Sequence, residues 1–237
     1  MSQKIIVCNS IASTDNCLIL SLETSTNVCL VTLHTSGQLL GKIYLHQKKS
    51  HSESIMGMID YLLLLNKCKK NDLSAIAVSR GPGSYTGLRI GTSIAKGLCY
   101  ALGKPLISVS TLKAMAYSMR HYTTKLLCPM IDALKMYVYC LVADSNGNII
   151  ESISQKVIDA TSYADLLTTN RMIFFGNGAA KCIPYLSINK NATFITTTEQ
   201  NTSIGELAYE KFKKNQFEDI VLFEPDYLQI PKYNSIS

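Results

Sequence analysis

SRGPGSYTGLRIGTSIAKGLCYALGKPLISVSTLKAMA, residues Ser79–Ala116, carries the reading of this chain. A strand of the buried type, Leu73–Ser79, runs into it. Gly81 and Gly83 then let the backbone turn tightly, and Pro82 fixes a dihedral between them. Ser84 or Thr86 can cap the helix that follows, from about Tyr85 to Leu102. Gly87, Gly91 and Ala95 recur at every fourth position, so one face of that helix is smooth. A helical glycine costs about 0.5–1 kcal/mol relative to alanine. The stripe therefore implies the close approach of another backbone, from this chain or from a partner. Ile90, Ile94 and Leu98 face elsewhere. Pro105–Val109 reads as the next strand, and Thr111–Arg120 as a helix behind a Ser110 cap. The turn is not a Walker A loop, because no Gly-Lys-Ser/Thr follows. Its third glycine is misplaced for a dinucleotide fingerprint.

Upstream, Leu18–Leu22, Val28–Leu33 and Leu39–Leu45 are separated by short polar turns, as in an antiparallel meander. A helical spacing follows over His51–Asn66, opened by Ser50 and Glu53 at capping-box distance. Ile55, Ile59 and Leu62 form one line, with Met58 and Leu65 beside it and Met56, Leu63 and Leu64 opposite. A helix apolar on several sides needs cover beyond its own sheet, from a thick core or a protein partner. Residues Met1–Asn16 read as an extension in which Ile5–Val7 could pair with something.

Downstream, Leu126–Asp132, Met136–Asp144 and Asn148–Ser154 repeat the three-strand opening, with Asn146-Gly147 as a hairpin signal. A helix at Ser162–Thr169, a strand at Met172–Phe175 and the turn Gly176-Asn177-Gly178 come next. A last helix, Ile204–Lys214, has Ser203 and Glu206 at capping-box spacing. The tail from Pro225 has no period and is expected along the surface. The order predicts an α/β protein with mixed sheets flanked by helices. By analogy this is the two-lobed, ribonuclease H-like fold of the actin–Hsp70–sugar kinase (ASKHA) superfamily. The expected division is an extension over 1–17, an amino-terminal lobe over 18–109 and a degenerate second lobe over 110–237.

With 47% apolar and 17% charged residues, the chain has material for a core and no disordered composition. The net charge of +6 comes mostly from lysine clusters at expected helix ends: Lys48-Lys49, Lys67 with Lys69-Lys70, and Lys211 with Lys213-Lys214. Solvated helix ends explain them better than a nucleic-acid face. The eight cysteines include no C-x-x-C pair, which excludes zinc-finger and thioredoxin-type readings and fits a reducing cytosol. No signal peptide and no membrane span is expected.

The pieces LSLETST (Leu20–Thr26), HSE (His51–Glu53), AIAVSRGPGSYTGLRIG (Ala75–Gly91), AKGL (Ala95–Leu98), MIDA (Met130–Ala133) and FGNGA (Phe175–Ala179) together resemble the TsaB (YeaZ) family. The resemblance covers about Leu18–Leu186 and is most specific over Arg80–Arg89. It implies an actin-like fold and a cytoplasmic, non-catalytic subunit. Such a subunit binds and stabilises a TsaD-type catalytic paralogue and works with a TsaE-type ATPase. The complex places threonylcarbamoyl on a tRNA adenosine, and tRNA is met through the complex. It also implies a homodimer when the subunit is alone. The interface expected from it comprises His51, Ile55, Met58, Ile59, Leu62, Arg80, Tyr85, Thr86, Gly87, Arg89, Ile90, Gly91, Ile94 and Ala95. On that basis Gly91→Leu should disrupt the pair and leave the fold largely intact.

No catalytic residue, metal or cofactor is expected. Actin-like phosphotransferases need an acid and a glycine in the first strand-turn loop. Here Glu23, Thr24 and Ser25 supply an acid and hydroxyls without glycine, and the family usually has aspartate at Glu23. The equivalent second loop, Asp132-Ala133-Leu134-Lys135, also lacks glycine, and Leu134 departs from the family's usual arginine. Gly176 and Gly178 would complete a degenerate nucleotide site, though a structural turn explains them better. The competing reading is an enzyme, an actin-like phosphotransferase or a glycoprotease-like peptidase. It would need a metal or ATP site at Glu23 and Asp132. No G-x-S-x-G elbow supports a serine hydrolase, and His34, His46, His51 and His121 lack a metal-ligand spacing.

Overall fold

The computed structural model describes residues 3–7, 17–46, 51–123, 125–196 and 203–228, with the backbone alone for 3–7 and 51–53. The Ser50–Glu53 capping box, the His51 side chain, Lys48-Lys49 and Cys8 lie outside the described residues.

The first sheet contains β1 (Gln3–Val7), β2 (Leu18–Glu23), β3 (Val28–Thr35), β4 (Gln38–His46), β5 (Ala75–Gly81) and β6 (Leu106–Ser110), in the order β1-β4-β3-β2-β5-β6. β2, β3 and β4 form the predicted antiparallel meander, and β1 adds antiparallel to β4. β5 and β6 run parallel to β2, as strands joined by helical crossovers must. Those crossovers are α1 (His51–Leu65) and α2 (Tyr85–Leu102). The Ser84 hydroxyl accepts the Gly87 amide at 3.2 Å and caps α2, and Gly103 ends it in the left-handed conformation. The observed α2 bounds are those read from the sequence.

Ile55, Met58, Ile59, Leu62 and Leu63 of α1 are buried in the first core with Leu20, Leu22, Val31 and Ile76. Each contributes about 1.5–3 kcal/mol of burial. Four of these were expected to meet a partner. They face the sheet instead, because a helix presents its continuous apolar line to the larger apolar surface beside it.

α3 (Thr111–Met119) leads into the second sheet, and its Ser110 cap is present but long at 3.5 Å. That sheet contains β7 (Leu126–Asp132), β8 (Tyr137–Ala143), β9 (Ile149–Val157), β10 (Met172–Phe175) and β11 (Ala192–Ile195), in the order β11-β10-β7-β8-β9. The β8–β9 connection turns at Gly147, where Asp144 accepts the amides of Asn146 and Asn148. α4 (Ala164–Thr169) and α5 (Ile183–Leu186) are short.

α6 (Ile204–Lys213) returns to the first sheet. Ile204 and Ala208 pack with Ile19, Ala75, Ala77 and Ile107. The predicted capping box at its start does not form. The Ser203 hydroxyl donates to the Glu206 carboxylate at 2.9 Å instead of accepting a backbone amide. The following segment bridges to β6 at Glu218 and buries Phe223 in the first core. It is therefore anchored structure as well as surface. No described helix is long and apolar enough to cross a membrane.

Candidate functional site

The loop Glu23–Thr26 lies under the glycine turn and α2, and all four residues are buried. The Thr24 hydroxyl donates to the Gly87 carbonyl at 2.7 Å. The Ser84 amide donates to the Ser25 carbonyl at 2.6 Å. A Cβ on Gly87 would fall on the Thr24 carbonyl oxygen, one on Gly91 on the Thr24 hydroxyl, and one on Gly83 on Ser25. The smooth stripe is thus explained within the chain, and the backbone it admits is the loop itself. Gly87, Gly91 and Ala95 are buried by it and by the core, so they offer nothing to a second polypeptide. Gly91→Leu would displace Thr24 and damage the fold, contrary to the expectation stated above.

Two amides at this loop are engaged locally. The Ser25 amide is held by Glu23 Oε1 at 2.6 Å and the Val28 amide by the Thr26 hydroxyl at 3.3 Å. Glu23 is fully enclosed, and desolvation raises its pKa against opposing help from Ser25, Ser79 and the loop backbone. Its second oxygen makes no well-formed hydrogen bond, and neither do the hydroxyls of Ser25 and Ser79. Ser79 is close enough to influence the carboxyl but not aligned to satisfy it.

The loop after β7 is closed differently. Asp132 is exposed, and its Oδ1 accepts the Leu134 amide at 2.7 Å and the Lys181 ammonium at 2.5 Å. Lys181 also donates to the carbonyls of Lys135 at 2.8 Å and Tyr137 at 3.2 Å, which uses all three of its donors. The Ala133 amide goes to the Tyr137 carbonyl. The turn 176–178 is brought to this loop, where the Asp132 amide donates to Asn177 Oδ1 at 2.9 Å. Side chains at Gly176 and Gly178 would strike the Met130 carbonyl and the Ile131–Asp132 backbone. Both glycines are needed by the strand beside them. The Ser25 and Val28 amides at the first loop and the Ala133 and Leu134 amides of the second are engaged within the chain, and neither loop contains a glycine.

Sequence reasoning missed Lys181, which carries no motif, and Asp226, which lies in the aperiodic tail. Arg80 was expected at a partner surface. It is instead held within the chain, donating to both Asp226 oxygens at 2.8 and 3.0 Å and to Ser108 at 3.2 Å. Outside these contacts α1 and α2 expose Met56, Tyr61, Leu64, Tyr85 and Tyr100. The Arg89 guanidinium lies 4.6 Å from the Tyr85 ring centroid, and Tyr85 also meets Tyr227 at 4.7 Å. Thr86 is exposed, while Ile90 and Ile94 are partly buried against the core. Among the described residues, no group of three or more His, Cys, Asp or Glu side chains is placed to hold a metal ion.

The two sheets, their flanking helices and the paired loops define a two-lobed, actin-like α/β protein. A solved Pseudomonas aeruginosa protein, described as similar to the peptidase YeaZ, superposes with a TM-score of 0.74 at 23% identity, covering 90% of this chain and all of that one. The activator of 2-hydroxyisocaproyl-CoA dehydratase from Clostridium difficile, solved with ADPNP, gives 0.51 at 10% identity over 85% of this chain and 97% of that one. At such identities the likeness concerns the fold. The family model for TsaD, tRNA N6-adenosine threonylcarbamoyltransferase, matches residues 38–237. The tRNA threonylcarbamoyladenosine biosynthesis protein TsaB of Bacillus subtilis is 30% identical over 219 residues, 90% of this chain and 94% of that protein. This chain belongs to the TsaB family of tRNA threonylcarbamoyladenosine biosynthesis proteins.

Proposed function

We propose that the chain is a non-catalytic scaffold subunit in tRNA threonylcarbamoyladenosine formation. In this reading it binds and stabilises a TsaD-type catalytic paralogue and works with a TsaE-type ATPase. It meets tRNA through the complex, and it forms a homodimer when alone. The observation that carries the reading is the filling of both phosphate-loop positions by the protein's own groups, Thr24 and Ser25 against α2 and Lys181 on Asp132. The outward faces of α1 and α2 support it further, since they display aromatic and aliphatic side chains with no cover among the described residues. The partner surface is accordingly assigned to Met56, Tyr61, Leu64, Tyr85, Arg89 and Tyr100, in place of the buried line Ile55-Ile59-Leu62.

Co-purification with the cognate TsaD-type protein tests this. Leu64→Glu with Tyr100→Glu should abolish capture and leave the melting temperature within a few degrees of the parent, since both side chains are exposed. Undiminished capture by that variant would remove this surface from the interface. Saturable, tight ATP binding by the isolated chain that is lost in Glu23→Ala would favour the enzymatic reading instead.

A further inference from the structure

A cavity of about 470 Å³ opens between α3, α6 and the β8–β9 hairpin. None of Glu23, Thr24, Ser25, Asp132, Gly176 or Gly178 lines it, so it is separate from the two closed loops. Its volume falls within the range of small-molecule sites. One wall is apolar, with Tyr117, Ile149, Ile153 and Leu207.

The polar part carries an excess of cations, Arg80, Lys113, Lys211 and Lys214 against the carboxylates Glu210 and Asp226. Both carboxylates already have partners. Asp226 takes Arg80, and Glu210 takes Lys213 at 2.9 Å. Lys113 and Lys214 have no ion pair among the described residues, while Lys211 spends one donor on the Ser108 carbonyl at 2.7 Å. Burial lowers the Lys211 pKa, the Glu218 carboxylate opposes that fall, and Arg80 and Lys113 lower it further. Lys113, Lys211 and Lys214 therefore line one concave site in which cations outnumber carboxylates, with Glu218 offsetting Lys211 only in part, and like charges gathered this way favour a bound anion.

We propose that this cavity binds a small organic phosphate, with the phosphate against Lys113, Lys211 and Lys214 and an apolar or aromatic body against Tyr117, Ile149 and Ile153. Point-charge ammonium groups suit a phosphate dianion, and the apolar wall excludes a bare inorganic ion as the best fit. A concave site of this size also suits a small molecule better than a polynucleotide backbone.

Calorimetric titration of the full-length chain with phenyl phosphate, inorganic phosphate and benzyl alcohol at low ionic strength tests the proposal. Phenyl phosphate should saturate at least tenfold more tightly than inorganic phosphate, and benzyl alcohol should not bind. Lys113→Glu with Lys214→Glu, both at exposed positions, should weaken phenyl phosphate at least tenfold without changing the melting temperature. Ile153→Trp, which fills the cavity and leaves the lysines, should weaken it comparably. Absence of saturation, equal affinity for inorganic phosphate, or unchanged binding in either variant would overturn the assignment.

Discussion

The loops Glu23–Thr26 and Asp132–Lys135 occupy corresponding places, each joining a strand to the next, antiparallel strand of its sheet, yet they are closed by different physics. The first is sealed by packing: its backbone lies in the groove left by Gly83, Gly87 and Gly91, and its acid is enclosed. The second stays at the surface and is held by one lysine and its hydrogen bonds. Packing against backbone is stiff, since nothing can move aside without shifting a helix or a strand. A half-exposed ion pair is weak and replaceable. The first loop should therefore bear on the stability of its whole lobe, and the second only on local order.

The sharpest way to break this comparison is a side chain in the groove. Gly91→Leu should cost about 3 kcal/mol or more in urea unfolding, because overpacking meets Thr24 directly. Gly57→Leu is the control, since a Cβ there meets nothing, and it should be near neutral. A similar loss in both would mean the groove is not special.

Burial in the same sheet also sets a pH dependence. His34 on β3 is buried beside Gly205, and desolvation lowers its pKa to about 4. Because the folded value lies below the unfolded one, the associated stability is full above about pH 6.5 and is lost as pH falls toward 4. The loss attributable to His34 is roughly 3 kcal/mol. His34→Gln should flatten that part of the profile, and an unchanged slope would count against the buried neutral imidazole.

Glu23 has the opposite sign. Its folded pKa is raised, so its contribution is present below the unfolded value near 4.5 and is lost as pH rises through the folded value. Glu23→Gln should therefore raise the melting temperature at neutral pH, and a decrease would show that the charge is compensated. The smallest effect belongs to the second loop, where Asp132→Ala should cost only about 0–1 kcal/mol.

The strands and α2 were legible because periodicity and turn residues report local geometry. Ser84, Ser110 and Gly147 stand where their chemistry predicts. The destination of a smooth or apolar face was not legible. Gly87 and Gly91 announce a close neighbour, but Thr24, which fills that space, is more than sixty residues away in the chain. Ile55, Ile59 and Leu62 announce burial without saying by what. The return of α6 to the first sheet depends on small residues such as Gly205 and Ala208 meeting β2 and β3, which has no local signature. Ser203 shows the limit of motif spacing, since its hydroxyl found the Glu206 carboxylate before any amide.

Under the proposed scaffold role, the loops Glu23–Thr26 and Asp132–Lys135 are filled by the chain's own groups and should not take up a nucleotide. Equilibrium binding of magnesium-ATP to the isolated full-length chain puts that to the most direct test. No Glu23-dependent saturation is expected below about 1 mM, an affinity weaker than about −4 kcal/mol. Saturable micromolar binding that disappears in Glu23→Ala, with the fold retained, would contradict it.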